Sequence, residues 1–138
     1  MLHDSFLSNR CASRCRHHVI GVAQLYDCFT VVPIIELEEL GFCKSGEGGV
    51  FFAGGPARVG GTLPVNTHGG MLSHAHAGAA GGLFGIVEGV RQLRSGSAEG
   101  QVEGAEVALV HKEGGILSSH CTMIFANAQG LRHQRGKA

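Results

Sequence analysis

The segment Met71–Gly96, MLSHAHAGAAGGLFGIVEGVRQLRSG, limits the folds open to this chain more than any other stretch. Leu83, Ile86, Val87, Val90 and Leu93 recur at steps of three and four, which predicts a helix from about Ala77 to about Arg94. Gly78, Ala79, Ala80, Gly81, Gly82 and Gly85 stand in the same helix, where the glycines cost helix propensity. Small residues kept at that cost imply a second backbone in close approach, so the helix is expected to be buried between two layers.

The flanking sequence supplies those layers. Residues 1–18 are basic and show no period, which reads as a tail outside the core. VIGVAQLY from Val19 has strand length, and FTVVPIIELEELG continues as a helix with Pro33 in its first turn and Gly41 at its end. Glu36, Glu38 and Glu39 are expected on the hydrated side of that helix. From Lys44 to Gly70, glycine and proline predict mostly loop, with VFF and TLPV as short extended pieces. EVALVH and GILSSHCTMIF read as two strands joined by a turn at Lys112–Gly115, and residues 127–138 read as a second tail. The expected domain is therefore 19–126, an α/β fold with a mixed sheet of four or five strands, a buried Gly/Ala-rich helix and a covering helix.

Charge narrows the partners. Eleven basic and eleven acidic residues balance, so no overall field recruits nucleic acid or an anionic membrane. Five cysteines form an odd set without a Cys-x-x-Cys pair, and no stretch reads as a signal peptide or membrane span, which points to a cytoplasmic setting. His68, His74 and His76 with Cys43 or Cys121 are candidate metal ligands by type, a reading that elemental analysis tests. The spacing supports no closed tetrahedral site, and neither GxGxxG after a strand nor GxxxxGK[ST] occurs, so no metal and no nucleotide loop is expected.

Chemistry concentrates at Asn66–Gly82, where histidines and glycines precede the predicted helix. Unpaired N–H groups and the dipole at a helix N-terminus stabilise an oxyanion or thiolate near His76, whose neutral imidazole can accept a proton. The alternative, that His68, His74 and His76 only hydrogen-bond loop backbone, stays open on spacing alone.

Three ordered blocks between about Val22 and Ile124 resemble the thiolases, in the branch close to the lipid-transfer-protein-linked enzymes. They are Tyr26–Phe29 (YDCF) followed by LEELGFCKSGEGG, then NTHGGMLSHAHAGAAGG, then VALVHKEGGILSSH. The resemblance is to the family's C-terminal half and implies acyl transfer between acyl-CoA and CoA. It implies coenzyme A as substrate rather than a bound cofactor. It places His76 at the histidine that assists the nucleophile and oxyanion, His111 where many thiolases carry an acid/base cysteine, and Tyr26 where Asn or His holds an oxyanion water. Ala77 replaces the family's proline. The family's nucleophilic cysteine belongs to an N-terminal half that these residues do not match, so the chain is expected to be inactive alone and to come from a truncated or shifted frame. Expected partners are acyl-CoA, that N-terminal half or a second copy, and a small zinc-ribbon protein. The competing expectation is a non-catalytic thiolase-fold partner or acyl/lipid-binding module whose apolar helix 77–94 needs covering.

Overall fold

A computed structural model describes residues 19–115 and 117–135; the tail expected at 1–18 lies outside them. The elements run β1 (Val22–Gln24), α1 (Val32–Glu39), α2 (Gly48–Ala53), α3 (Gly70–Ser73), a 3-10 turn (Gly78–Ala80), α4 (Gly81–Leu93), β2 (Val107–Gly114), β3 (Ser119–Ala126) and α5 (Ala128–Arg135). Among the described residues the sheet has three strands in the order β1-β2-β3, not the four or five expected. The extended piece at 62–65 contributes only a single bridge, Val65 to Ala23, because Pro64 lacks the N–H that a ladder needs. β1 pairs parallel with β2 (Val22 opposite Ala108), and β2 pairs antiparallel with β3 (Val107 opposite Ala126). The parallel pair requires a crossover, and α4 is its main element.

Period-two alternation assigns each strand residue to one of two layers. Ala23, Leu25, Val107 and Leu109 face a core filled by Leu37, Leu63 and the half-buried Phe51 and Phe52 of α2. Val22 and Ala108 face the opposite side, where Ala105, Leu93 and Val102 pack. The sequence VFFAG, expected as extended, instead forms α2, since two adjacent phenylalanines reach that core from a helix beneath α1. α1 ends as expected: Gly41 has φ +80°, its N–H bonds Glu38 O and that of Phe42 bonds Leu37 O, which satisfies the last carbonyls.

The largest correction concerns α4. It lies where the periodicity places it, but Leu83 and Val87 are 57% and 55% exposed, while Gly81, Gly85, Glu88, Gly89 and Gln92 are buried. Of the small residues expected at a close approach, Gly81 and Gly85 are buried, but against side chains rather than a backbone, and Gly78 and Ala80 are exposed. A Cβ on Gly89 would lie 3.1 Å from Val110 Cγ2, and one on Gly85 would strike the Lys112 side chain. Close approach also buries polar groups, several of which bond one another through Thr67. Thr67 Oγ1 accepts from Gln24 Nε2 (3.1 Å) and Gln92 Nε2 (2.9 Å) and donates to Glu88 Oε1 (2.7 Å). Gly89→Leu is therefore expected to destabilise the protein by about 1–3 kcal/mol through overpacking. Leu83→Gln should change stability by less than about 0.5 kcal/mol, and chemical denaturation of the two variants checks this inversion of the helix faces.

Two smaller differences follow. The hairpin turn sits after Gly114 rather than at Lys112–Gly115, because Lys112 and Glu113 continue the ladder opposite Cys121 and His120. Residues 128–135, expected as a tail, form α5, with Asn127 Oδ1 accepting the N–H groups of Gln129 (3.0 Å) and Gly130 (2.9 Å) as a helix N-cap.

Candidate active site

The site lies at the carboxyl ends of the parallel strands, where open α/β sheets bind ligands. Tyr26 follows β1 by two residues, Glu113 is near the end of β2, and His76 sits in the loop before the 3-10 turn and α4. The loops are pinned together by Asp27. Its buried carboxylate accepts the N–H groups of Met71 (2.8 Å) and Leu72 (3.4 Å), joining the loop after β1 to the His-bearing loop. Gly70, at φ +68°, passes directly against that carboxylate, and a Cβ there would collide with it. The Asn-Thr-His block is used in the same way: Asn66 Oδ1 accepts from Leu25 N (2.8 Å), and Thr67 anchors α4. His68 stacks on His74 at 5.2 Å, and burial holds the His68 imidazole below its ordinary range.

Two of the three expected site residues come together. Tyr26 Oη and His76 Nε2 are 3.1 Å apart, with the rings in an edge arrangement. Neither the 3-10 turn nor α4 has a side-chain cap, so His76 faces the phenol instead of capping the helix. The pair opens on a cavity of ≈ 580 Å³. Phe29, Val31, Val32, Ile35 and Leu117 give it apolar walls, and Cys28 and Glu113 add titratable groups. A second cavity of ≈ 280 Å³ shares Cys28 and His76 and reaches Asp27 and His74.

Burial raises the Tyr26 phenol above its usual range, with Cys28 and Glu113 adding to the effect, so it is a proton donor at neutral pH. Burial likewise raises the Cys28 thiol, whose Sγ lies 3.8 Å from Glu113 Oε1, and raises the Glu113 carboxyl.

His111 is elsewhere. Its side chain is on the α1 side of the sheet, fully buried, with Nδ1 2.7 Å from Thr122 Oγ1. Burial, with His120 and Lys112 nearby, pushes its pKa down to about 4, so the ring is neutral. Its neighbour is Glu36, with Oε1 3.9 Å from His111 Nε2. Glu36 was expected in water but is only 4% exposed, and burial pushes its carboxyl up to about 9. The spacing held the missing signal: Glu36 falls in the stripe Val32, Pro33, Glu36, Leu37 that α1 buries. Glu113 was legible by period two from His111 once the strand is extended past residue 111. Among the described residues no group of three or more His, Cys, Asp or Glu is placed to hold a metal ion, and no helix is long and apolar enough to cross a membrane.

The fold is an α/β layer with one parallel strand pair, and its site sets a tyrosine–histidine pair at the mouth of a cavity with apolar walls. More particularly, residues 9–127 match the family described as thiolase C-terminal domain-like, and the chain belongs to it. It is 49% identical over 100 residues to the 17-hydroxy-3-oxo-4-pregnene-20-carboxyl-CoA lyase of Mycobacterium tuberculosis, covering 72% of this chain and 25% of that protein. It is 38% identical over 107 residues to the acetyl-CoA acetyltransferase of Methanothermobacter thermautotrophicus, covering 78% of this chain and 28% of that one. The solved structure of an "Ltp2-ChsH2(DUF35) aldolase" superposes with a TM-score of 0.72 at 39% identity, over 85% of this chain and 29% of that one. The chain thus spans about a quarter of the length of these relatives.

Proposed function

We propose that this domain is the acid–base half of an enzyme that makes or breaks a carbon–carbon bond beside the thioester of an acyl-CoA. The carrying observation is the 3.1 Å contact between Tyr26 and His76 at the mouth of an apolar cavity. In cleavage, one member of the pair accepts the proton of the group that becomes a carbonyl. The bonding electrons then pass to the carbon beside the thioester, and the other member returns a proton there. The remainder of such an enzyme supplies the CoA site and, in a thiolase-type reaction, the acyl-accepting cysteine. His111, buried on the far side of Glu36, supports the site in this reading and does not meet substrate.

A chimera tests this. Residues 19–126 replace the matching segment in the mycobacterial lyase and in the methanogen acetyltransferase. Restored lyase activity favours aldol-type cleavage, restored acetyl transfer favours thiolysis, and loss of both refutes the acid–base assignment. The chain assayed alone is expected to show negligible acetoacetyl-CoA cleavage.

The exposed Leu83 and Val87 of α4 favour a second reading, a module whose outer helix face docks on an N-terminal half or a second copy. A monomer on size-exclusion chromatography that binds no apolar dye would remove that reading. A small second subunit is a further proposed partner, in keeping with the two components in the matched aldolase's name.

A further inference from the structure

β1 ends at Gln24, yet the backbone of the next residues must be held if Tyr26 is to meet His76 in one geometry. Side chains continue the work of the sheet. Asn66 Oδ1 accepts the N–H of Leu25 (2.8 Å), Lys112 Nζ donates to the carbonyl of Leu25 (2.7 Å), and Glu36 Oε2 accepts the N–H of Tyr26 (2.9 Å). The last of these is the unexpected one. Glu36 reaches from α1, is nearly dry, and has His111 behind it. His111 is itself fixed to Thr122 on β3. A carboxyl so deeply buried costs stability that a hydrocarbon side chain of similar volume would not. A carboxyl there does something a hydrocarbon cannot: it accepts the Tyr26 N–H.

We propose that Glu36 is a positioning residue, holding the Tyr26 amide from behind so that the phenol is presented to His76. This rests on the reading of Tyr26 as the site's proton donor, but it is testable without turnover. Glu36 faces Tyr26 and Asp27 from the loop after β1, and Lys112, Glu113 and His111 from β2. Because burial keeps its carboxyl protonated at neutral pH, glutamine is its near isostere and still offers an oxygen to the Tyr26 N–H.

The chain has one tyrosine and no tryptophan, so the 138-residue protein labelled with 15N-tyrosine gives one amide signal, and alkaline absorbance follows one phenol. In the wild type the Tyr26 amide signal is expected to shift with an inflection at about 9. In Glu36→Gln that inflection disappears, while the phenol still titrates above the ordinary value of about 10. In Glu36→Leu, checked as folded by circular dichroism, the amide signal moves at neutral pH and the phenol falls back toward about 10. Glutamine thereby rescues what leucine loses, which a space-filling role would not show. An amide signal with no inflection that glutamine removes overturns the proposal, as does a folded Glu36→Leu with wild-type Tyr26 signals. If Glu36→Leu does not fold, the comparison of wild type with Glu36→Gln decides alone. Loss of the function reading instead shows as a Tyr26→Phe chimera with undiminished turnover, an outcome independent of these signals.

Discussion

Tyr26→Phe, placed in an active chimera, is expected to lower kcat by about 10²–10⁴-fold, the range that a positioned acid or base contributes. The substitution removes one oxygen and leaves the ring against the cavity wall, so KM and thermal stability should stay near those of the parent. His76→Ala should lower kcat within the same range, because in the proposed reaction the phenol and imidazole, 3.1 Å apart, serve one proton transfer. Groups that act as a unit are not additive, and the double variant should be little slower than the worse single one. The phenol is raised above its usual range, so the alkaline limb of the rate profile should lie above about 10. Steady-state kinetics of the four proteins decides this. Multiplying losses would mean that the two side chains serve separate steps.

How far the sequence led depends on what each residue type can announce. The small residues in and just before α4 announced a close approach in part. Gly85 lies against the Lys112 side chain and Gly89, which the pattern did not single out, against Val110, whereas Gly78 and Ala80 are exposed and Gly82 has open space beside it. The apolar positions Leu83 and Val87 misled, because periodicity finds a stripe without telling which neighbour covers it. Here the sheet takes Gly85 and Gly89 together with Glu88 and Gln92, and Leu83 and Val87 face outward while Leu93 still packs inward. The helix at 48–53 was hidden for a related reason. Gly48 and Gly49 read as loop, yet Gly48 is buried with its N–H on Glu38 Oε1 at 2.9 Å, and only glycine fits beside the Ile34 carbonyl. At the site, Tyr26 and His76 are fifty positions apart; the motif resemblance alone nominated Tyr26, whereas His76 was also nominated by its place before a helix. Their contact depends on Asp27 clamping two loops, a long-range bond that no local pattern signals. Glu36 shows the reverse failure: its position on the buried stripe was readable, but acidity argued for water. Burial won because the Tyr26 amide offers the carboxyl a hydrogen bond.

That buried carboxyl has a consequence for stability as pH changes. In the unfolded chain Glu36 loses its proton around 4.5, whereas the folded protein keeps it until about 9. Below 4.5 both states are protonated and Glu36 contributes no slope. Between the two values the native state binds one proton more than the unfolded state, so each rise of one pH unit favours unfolding by about 1.4 kcal/mol at most. His111 acts in the opposite sense. Its imidazole is held down to about 4 from 6.5, so its contribution is complete above 6.5 and is lost as pH falls toward 4. The two slopes cancel between 4.5 and 6.5, and above 6.5 Glu36 acts without that counterweight. Lys112, which burial holds below its ordinary range, opposes Glu36 at the alkaline end, so the measurement should be a difference. Relative to Glu36→Gln, the wild type should lose on the order of 1 kcal/mol of unfolding free energy for each pH unit between about 5 and 8. Urea denaturation of both proteins across that range measures it. Parallel curves would show that Glu36 is ionised in the folded protein, and that a charged carboxylate rather than a neutral acid holds the Tyr26 amide.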